Sequence, residues 1–144
     1  MTSVTLAQAS TIVDATIAKG RDTASAPLTV AVLDAGGHLV AFKREDRSGI
    51  LRFEIAFGKA WGSLGMGFGS REFIERTKMN PTFTGALTVL AQGRLVPVPG
   101  GVLIKNAGGD VIGAVGVSGD TSDRDEECAL AGIAAAGFVA QTGR

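Results

Sequence analysis

Residues 94–127 read RLVPVPGGVLIKNAGGDVIGAVGVSGDTSDRDEE: an extended lead, a hairpin and the start of a helix in succession. Val102 to Lys105 is a short β-prone run, Asn106-Ala107-Gly108-Gly109 supplies residues that tolerate positive φ, and Asp110 to Ser118 returns as an almost wholly apolar run. The returning strand, Val111 to Val117, has no polar alternation, so both of its faces are expected to be covered, as in a central strand. Gly113 and Gly116 weaken an ordinary strand and suit a place where another backbone or a flat ligand comes close. Pro97 and Pro99 restrict Arg94 to Pro99 to an edge strand or an extended connection. After the hairpin, Ser118 to Asp123 opens a helix expected to run to about Gln141, with Ser122 and Asp125 spaced as a capping box. Helix N-termini also bind anions. Here Asp120, Asp123, Asp125, Glu126 and Glu127 already bring negative charge to the turn, which favours capping over an anion site.

Upstream, Leu28 to Leu33 and His38 to Arg44 flank Asp34-Ala35-Gly36-Gly37, a second hairpin of the same grammar 72 residues earlier. Shared turn chemistry accounts for the match, with an internal duplication as the alternative reading. Thr5 and Gln8 form a capping box for a first helix over about Leu6 to Lys19. In the segment from Ile50 to Gly69, Phe53, Phe57, Trp61, Leu64 and Phe68 make an aromatic stripe, and Gly58, Gly62, Gly65 and Gly69 make a second stripe. Each helical glycine costs about 1 kcal/mol against alanine, so this face is expected to approach the sheet or a partner closely. Short helices over Arg71 to Lys78 and Thr82 to Ala91 follow, the second started by Asn80-Pro81. The order implies an α+β fold: a single domain over residues 1–144, with an antiparallel sheet of about five strands flanked by helices.

Fourteen Lys and Arg balance fourteen Asp and Glu, and no basic run of five or more occurs, which argues against a nucleic-acid partner. No apolar run reaches membrane-spanning length, and the N-terminus lacks the pattern of a signal peptide, so a cytoplasmic protein is expected. The single cysteine, Cys128, excludes an intrachain disulfide and falls on the apolar side of the last helix.

The blocks VAVLDAGGHLVAFKRED, IAFGKAW, RLVPVPGGVLI and VIGAVGVSGDTSDRDEECALAGI, in this order, resemble the GlcG/HbpS family of haem-binding proteins, related to the C-terminal domain of PduO-type proteins. The resemblance covers nearly the whole chain. It implies a five-stranded antiparallel sheet flanked by helices, assembly as homo-oligomers, often octamers, a haem or tetrapyrrole ligand, and a setting in glycolate, diol or aromatic catabolism. Two departures bear on any pocket. The family often has an isoleucine-proline pair after the double glycine, where this chain reads Gly100-Gly101-Val102-Leu103-Ile104, and Trp61 to Gly69 is richer in glycine than the usual alanine-rich helix.

His38 is the only histidine and the axial haem ligand that the resemblance nominates; the competing reading is a solvated residue just past a turn. Phe42, Phe57, Trp61, Met66 and Phe68 are candidates for an apolar wall, Arg44, Arg71 and Arg94 for propionate partners, and Gly100 and Gly101 for close backbone approach. Glu72 and Glu75 form an E-x-x-E pair at helical spacing, an incomplete ligand set for a surface metal. The rival function is a cofactor-independent catabolic enzyme, an isomerase, tautomerase, lyase or hydratase acting on a small acidic or aromatic-derived substrate. Its candidate acids and bases are Asp34, His38, Glu54, Lys59 and Asp120.

Overall fold

The computed structural model describes residues 2–143. Thr5 caps α1 (Leu6–Asp22) through the expected reciprocal box: its hydroxyl accepts from the Gln8 amide, and Gln8 Oε1 accepts from the Thr5 amide. The first hairpin, β1 (Thr29–Asp34) and β2 (Leu39–Arg44), is followed by α2 (Arg52–Met66), which Gly67 ends at φ +82°. A 3-10 turn at Ser70–Glu72 leads into α3 (Phe73–Met79) and α4 (Pro81–Leu90), the latter capped by Asn80 Oδ1 accepting from the Phe83 amide. The second hairpin is β3 (Gly101–Lys105) and β4 (Val111–Ser118), followed by α5 (Ser122–Ala135) and a final strand, β5 (Val139–Gln141).

All pairings are antiparallel and the sheet order is β2-β1-β4-β3-β5, which makes this an α+β fold. Strand β4 is central and buried along both faces, as its unbroken apolar run requires. Val30, Val32, Val102, Ile104, Val115 and Val117 point to one face, where Ile12 and Val13 of α1 and Cys128, Ala129 and Ile133 of α5 complete the main core. Leu33, Leu103 and Ala114 point to the other face and meet Ala60 of α2, with Phe57, Trp61 and Leu64 packed alongside. A third, smaller cluster of Phe68, Phe73, Ala91 and Leu95 anchors α3 and α4.

Two expectations are corrected. The last helix stops at Ala135 rather than near Gln141: Gly137 takes φ +80°, and the chain turns back so that β5 can pair with the outer edge of β3. Thr121, not Ser122, caps α5 by accepting from the Arg124 amide, which releases Asp125 for another partner. Residues 94–99 take the second of the two expected forms, an extended connection. Among the described residues no helix is long and apolar enough to cross a membrane.

The two hairpin turns share their central hydrogen bonds. Asp34 Oδ1 accepts from the His38 amide and Asn106 Oδ1 from the Asp110 amide, while Gly37 and Gly109 take φ +85° and +86°. Local turn chemistry explains the repeated motif. Close approach explains Gly116, where a Cβ would lie 1.8 Å from the Ala56 carbonyl oxygen of α2. Gly65, near the end of the same helix, would place a Cβ with nothing within 4 Å. Gly116→Ala is therefore expected to destabilise by about 3 kcal/mol or more. Gly65→Ala should stabilise by up to about 1 kcal/mol. Urea unfolding of the two variants beside the parent checks both signs.

Candidate functional site

Lys59 is enclosed rather than poised. It is 2% exposed, and its Nζ donates to the Val117 carbonyl at 2.9 Å and to Asp125 Oδ2 at 3.1 Å; Asp125 is itself 1% exposed. Asp125 Oδ1 accepts from the Asp120 amide at 3.0 Å. Burial pushes the Lys59 ammonium down from its ordinary range, against the opposing pull of Asp125, and burial likewise pushes the Asp125 carboxyl up. Glu54 faces solvent one turn and more away, so the structure does not bring it to Lys59. Asp120 accepts from the amides of Ala26 and Thr121, which hold its carboxyl below the usual range. Gly100 and Gly101 are buried over the same lysine: a Cβ on Gly100 would meet Lys59 Nζ at 2.8 Å, and one on Gly101 the Lys59 carbonyl oxygen at 2.2 Å.

An open apolar face lies where α2 meets the edge strand. Leu39 pairs with Leu33 and Phe42 with Ala31, which puts both side chains on the α2 side of the sheet. They are 43% and 44% exposed. Phe42 meets Phe53 edge-on with ring centroids 5.1 Å apart, and Phe53 continues to Phe57 at 5.9 Å. At one end of this strand, Arg44 Nη1 donates to the Ser48 carbonyl at 2.7 Å, and Arg52 Nη1 donates to Ser118 Oγ at 3.1 Å. Neither guanidinium has a carboxylate partner among the described residues. At the other end is His38, its side chain 80% exposed, with Nδ1 held 3.1 Å from Asp34 Oδ1. Burial tends to raise the Asp34 carboxyl, but hydrogen bonds from His38 and Gly36 prevail and hold it down. With Nδ1–H donating to Asp34, Nε2 is the nitrogen whose lone pair points outward.

Trp61 separates this face from a second region. The Arg94 guanidinium stacks over its ring at 4.3 Å, and Gly37 lies against the indole edge, where a Cβ would come 3.1 Å from Nε1. A cleft of about 170 Å³ runs between the β1–β2 turn and Trp61, Leu64 and Gly65. Another of about 230 Å³ opens between Trp61, Gly65 and Met66 on one side and Leu87, Ala91 and Leu95 on the other. Arg71 is engaged elsewhere: its Nε donates to both oxygens of Glu126 at 3.0 Å, and Nη2 contacts Asp123. Glu72 pairs with Arg76 and Glu75 with Lys78. Both carboxylates line a cleft of about 570 Å³ with Met79 and Phe83. No group of three or more metal-capable side chains occurs among the described residues.

The residues named from sequence thus fall into separate places. His38, Phe42, Arg44 and Phe57 border the open face, Trp61, Met66 and Arg94 border the clefts, and Gly100 and Gly101 pack on Lys59. Leu39, Phe53 and Arg52 belong to the open face and were not among the sequence candidates. Phe53 was visible in the aromatic stripe, whereas Leu39 and Arg52 depend on strand register and the helix start.

The fold is a small α+β class built on a five-stranded antiparallel sheet, and comparison gives the family. The description "Haem degrading protein HbpS-like" belongs to a family profile that matches residues 4–134, and the chain belongs to this HbpS-like family. A Citrobacter freundii protein described as an uncharacterized 15.0 kDa protein in the dhaT-dhaS intergenic region is 32% identical over 124 residues, covering 85% of this chain and 84% of that one. Among solved structures, the PduOC:heme complex superposes with a TM-score of 0.86 at 23% identity, covering 99% of both chains. Klebsiella pneumoniae ORFY gives 0.86 at 27% identity, covering 95% of this chain and 92% of that one. HbpS gives 0.79 at 27% identity, covering 93% and 90%.

Lys59→Met leaves Asp125 buried without its cation and is expected to cost about 3 kcal/mol at neutral pH, while Lys59→Met/Asp125→Asn recovers much of the loss. A folded carboxyl with a raised pKa stabilises below its unfolded value and loses that contribution as pH rises through the folded one. Removing the lysine raises Asp125 further, so the penalty of Lys59→Met should shrink as pH falls from 7 towards 5. Urea midpoints across that range measure it.

Proposed function

We propose that this protein binds haem or a related tetrapyrrole on the face built by β2 and α2. The observation that carries the reading is the half-exposed run Leu39, Phe42, Phe53 and Phe57, with an imidazole at one end and carboxylate-free guanidinium groups at the other. The residues present fit the ligand: an apolar wall for one porphyrin face, Arg44 and Arg52 for propionates, and His38 Nε2 for the iron. Asp34 supports His38 in that role by holding Nδ1 and so orienting the ring. The iron of a bound haem supplies redox chemistry; the protein's part is to shield, orient and neutralise. Membership of a family described as haem degrading, and likeness of fold to a protein solved with heme, support the reading.

The same proposal includes a cytoplasmic, self-associating protein beside a catabolic pathway, as the family resemblance implies. Exposed Ile50, Met79, Val89 and Leu90 support self-association. The rival enzyme gains little from the geometry, because Lys59 is sealed against Asp125 and Asp120 is consumed as a turn acceptor.

Haemin titration followed by visible absorption, with a non-binding protein as adsorption control, tests the reading. Saturation at fixed stoichiometry is expected, with a Soret shift altered in His38→Ala and affinity reduced about tenfold or more in Phe42→Asp, the scale set by burying a phenylalanine. Unsaturable uptake that ignores both substitutions would overturn it.

A further inference from the structure

We infer that the cleft between α2 and α4 is a binding site for a small monocarboxylate with an apolar body no larger than about one ring, held at its mouth by Arg94. This site is separate from the tetrapyrrole face and does not rest on that reading.

The cleft is open on one side, with a volume of about 230 Å³, and its wall is apolar: Trp61, Met66, Leu87, Leu90, Ala91 and Leu95, with Gly65 exposed at its rim. That volume is below the roughly 300 Å³ at which pockets for drug-sized ligands begin. It exceeds the apolar cavity of about 150 Å³ that accepts benzene. A single ring or a short aliphatic chain is therefore the matching body, and a tetrapyrrole is excluded by size. No carboxylate lines the wall, so the site offers nothing to a cation.

Arg94 supplies the polar end. Its Nε donates to the Ala91 carbonyl at 3.0 Å, and its guanidinium carbon lies 4.3 Å over the Trp61 ring, so it is anchored to two residues that line the cleft. These contacts fix the plane of the fork and leave both terminal nitrogens without a partner among the described residues. A pre-oriented guanidinium with two free N–H edges is the geometry that recognises a carboxylate in bidentate fashion. An apolar pocket with one fixed polar anchor at its rim is the common form of a small-molecule site.

Trp61 is the sole tryptophan, so its fluorescence and its single indole N–H cross-peak in a ¹H–¹⁵N spectrum report on this cleft and on the adjoining β1–β2 turn, and the Arg94 variant tells the two apart. Haem-free protein is titrated with benzoate and butyrate, and with benzamide as the neutral isostere of benzoate. The expected result is a saturable shift of the indole cross-peak with the carboxylates and at least tenfold weaker binding of benzamide. Arg94→Gln should abolish the preference for benzoate over benzamide, and Gly65→Leu should block both by crowding the rim. Thermal melts confirm that each variant is folded. No saturable shift with either carboxylate would overturn the proposal. So would equal binding of benzamide, or an unchanged preference in Arg94→Gln.

Discussion

The ion pair between Lys59 and Asp125 sets the terms for the rest of the molecule. The two residues belong to helices on opposite faces of the sheet, and the lysine reaches its partner by passing Gly100 at the entry to β3. A buried pair of this kind contributes little net stability against an apolar substitute, but leaving either charge alone is costly, so the surroundings must be arranged to satisfy both. The Val117 carbonyl takes one ammonium proton, and the Asp120 amide donates to the second carboxylate oxygen. Asp120 in turn takes the Ala26 amide, which ties the connection between α1 and β1 into the same network. One cation thereby registers α2, β4, α5 and the first inter-element loop. The double glycine at the start of β3 follows, since a side chain on Gly100 would occupy the lysine's path and one on Gly101 would strike the Lys59 carbonyl of α2.

Close approach of α2 has a second consequence. Gly116 admits the Ala56 carbonyl, and Gly58 and Gly62 admit Val96 and Leu95, so the helix sits on the sheet and on the connecting segment with small residues at every contact. Large side chains cannot share those surfaces. Phe53, Phe57, Trp61 and Leu64 are displaced to the margin of the helix, where they stay partly exposed. Ligand-accessible aromatics are in this sense a by-product of a tightly seated helix.

These relations explain what sequence could and could not disclose. The two hairpins were legible because Asp34 and Asn106 act through bonds to residues four positions on. The central place of β4 was legible because a strand covered on both sides must be apolar throughout. Strand β5 was not, because Val139 to Gln141 follow an alanine-rich helix and owe their conformation to the free edge of β3. Asp125 looked like a capping residue because its spacing from Ser122 is local, whereas its true partner is 66 residues away. The site divided in the same manner: the aromatic stripe showed in the periodicity of α2, but its separation by Trp61 into an open face and a cleft depends on Gly37, Arg94 and Leu95, which only tertiary packing brings alongside.

The two proposed binding regions differ in what holds them. The open face rests on β1, β2 and α2, elements locked to the main core and to the buried ion pair, so its shape is fixed before any ligand arrives. The cleft has α2 as one wall and α4 as the other, and α4 is held by the small cluster of Phe68, Phe73, Ala91 and Leu95. A wall supported by few buried side chains opens at lower free energy than the core does. A rigid, shallow face suits a flat ligand that must be oriented, and a yielding cleft suits a small one that must enter and leave. The same helix serves both because its inner surface is occupied by Lys59 and its glycines, which leaves its two flanks free to differ.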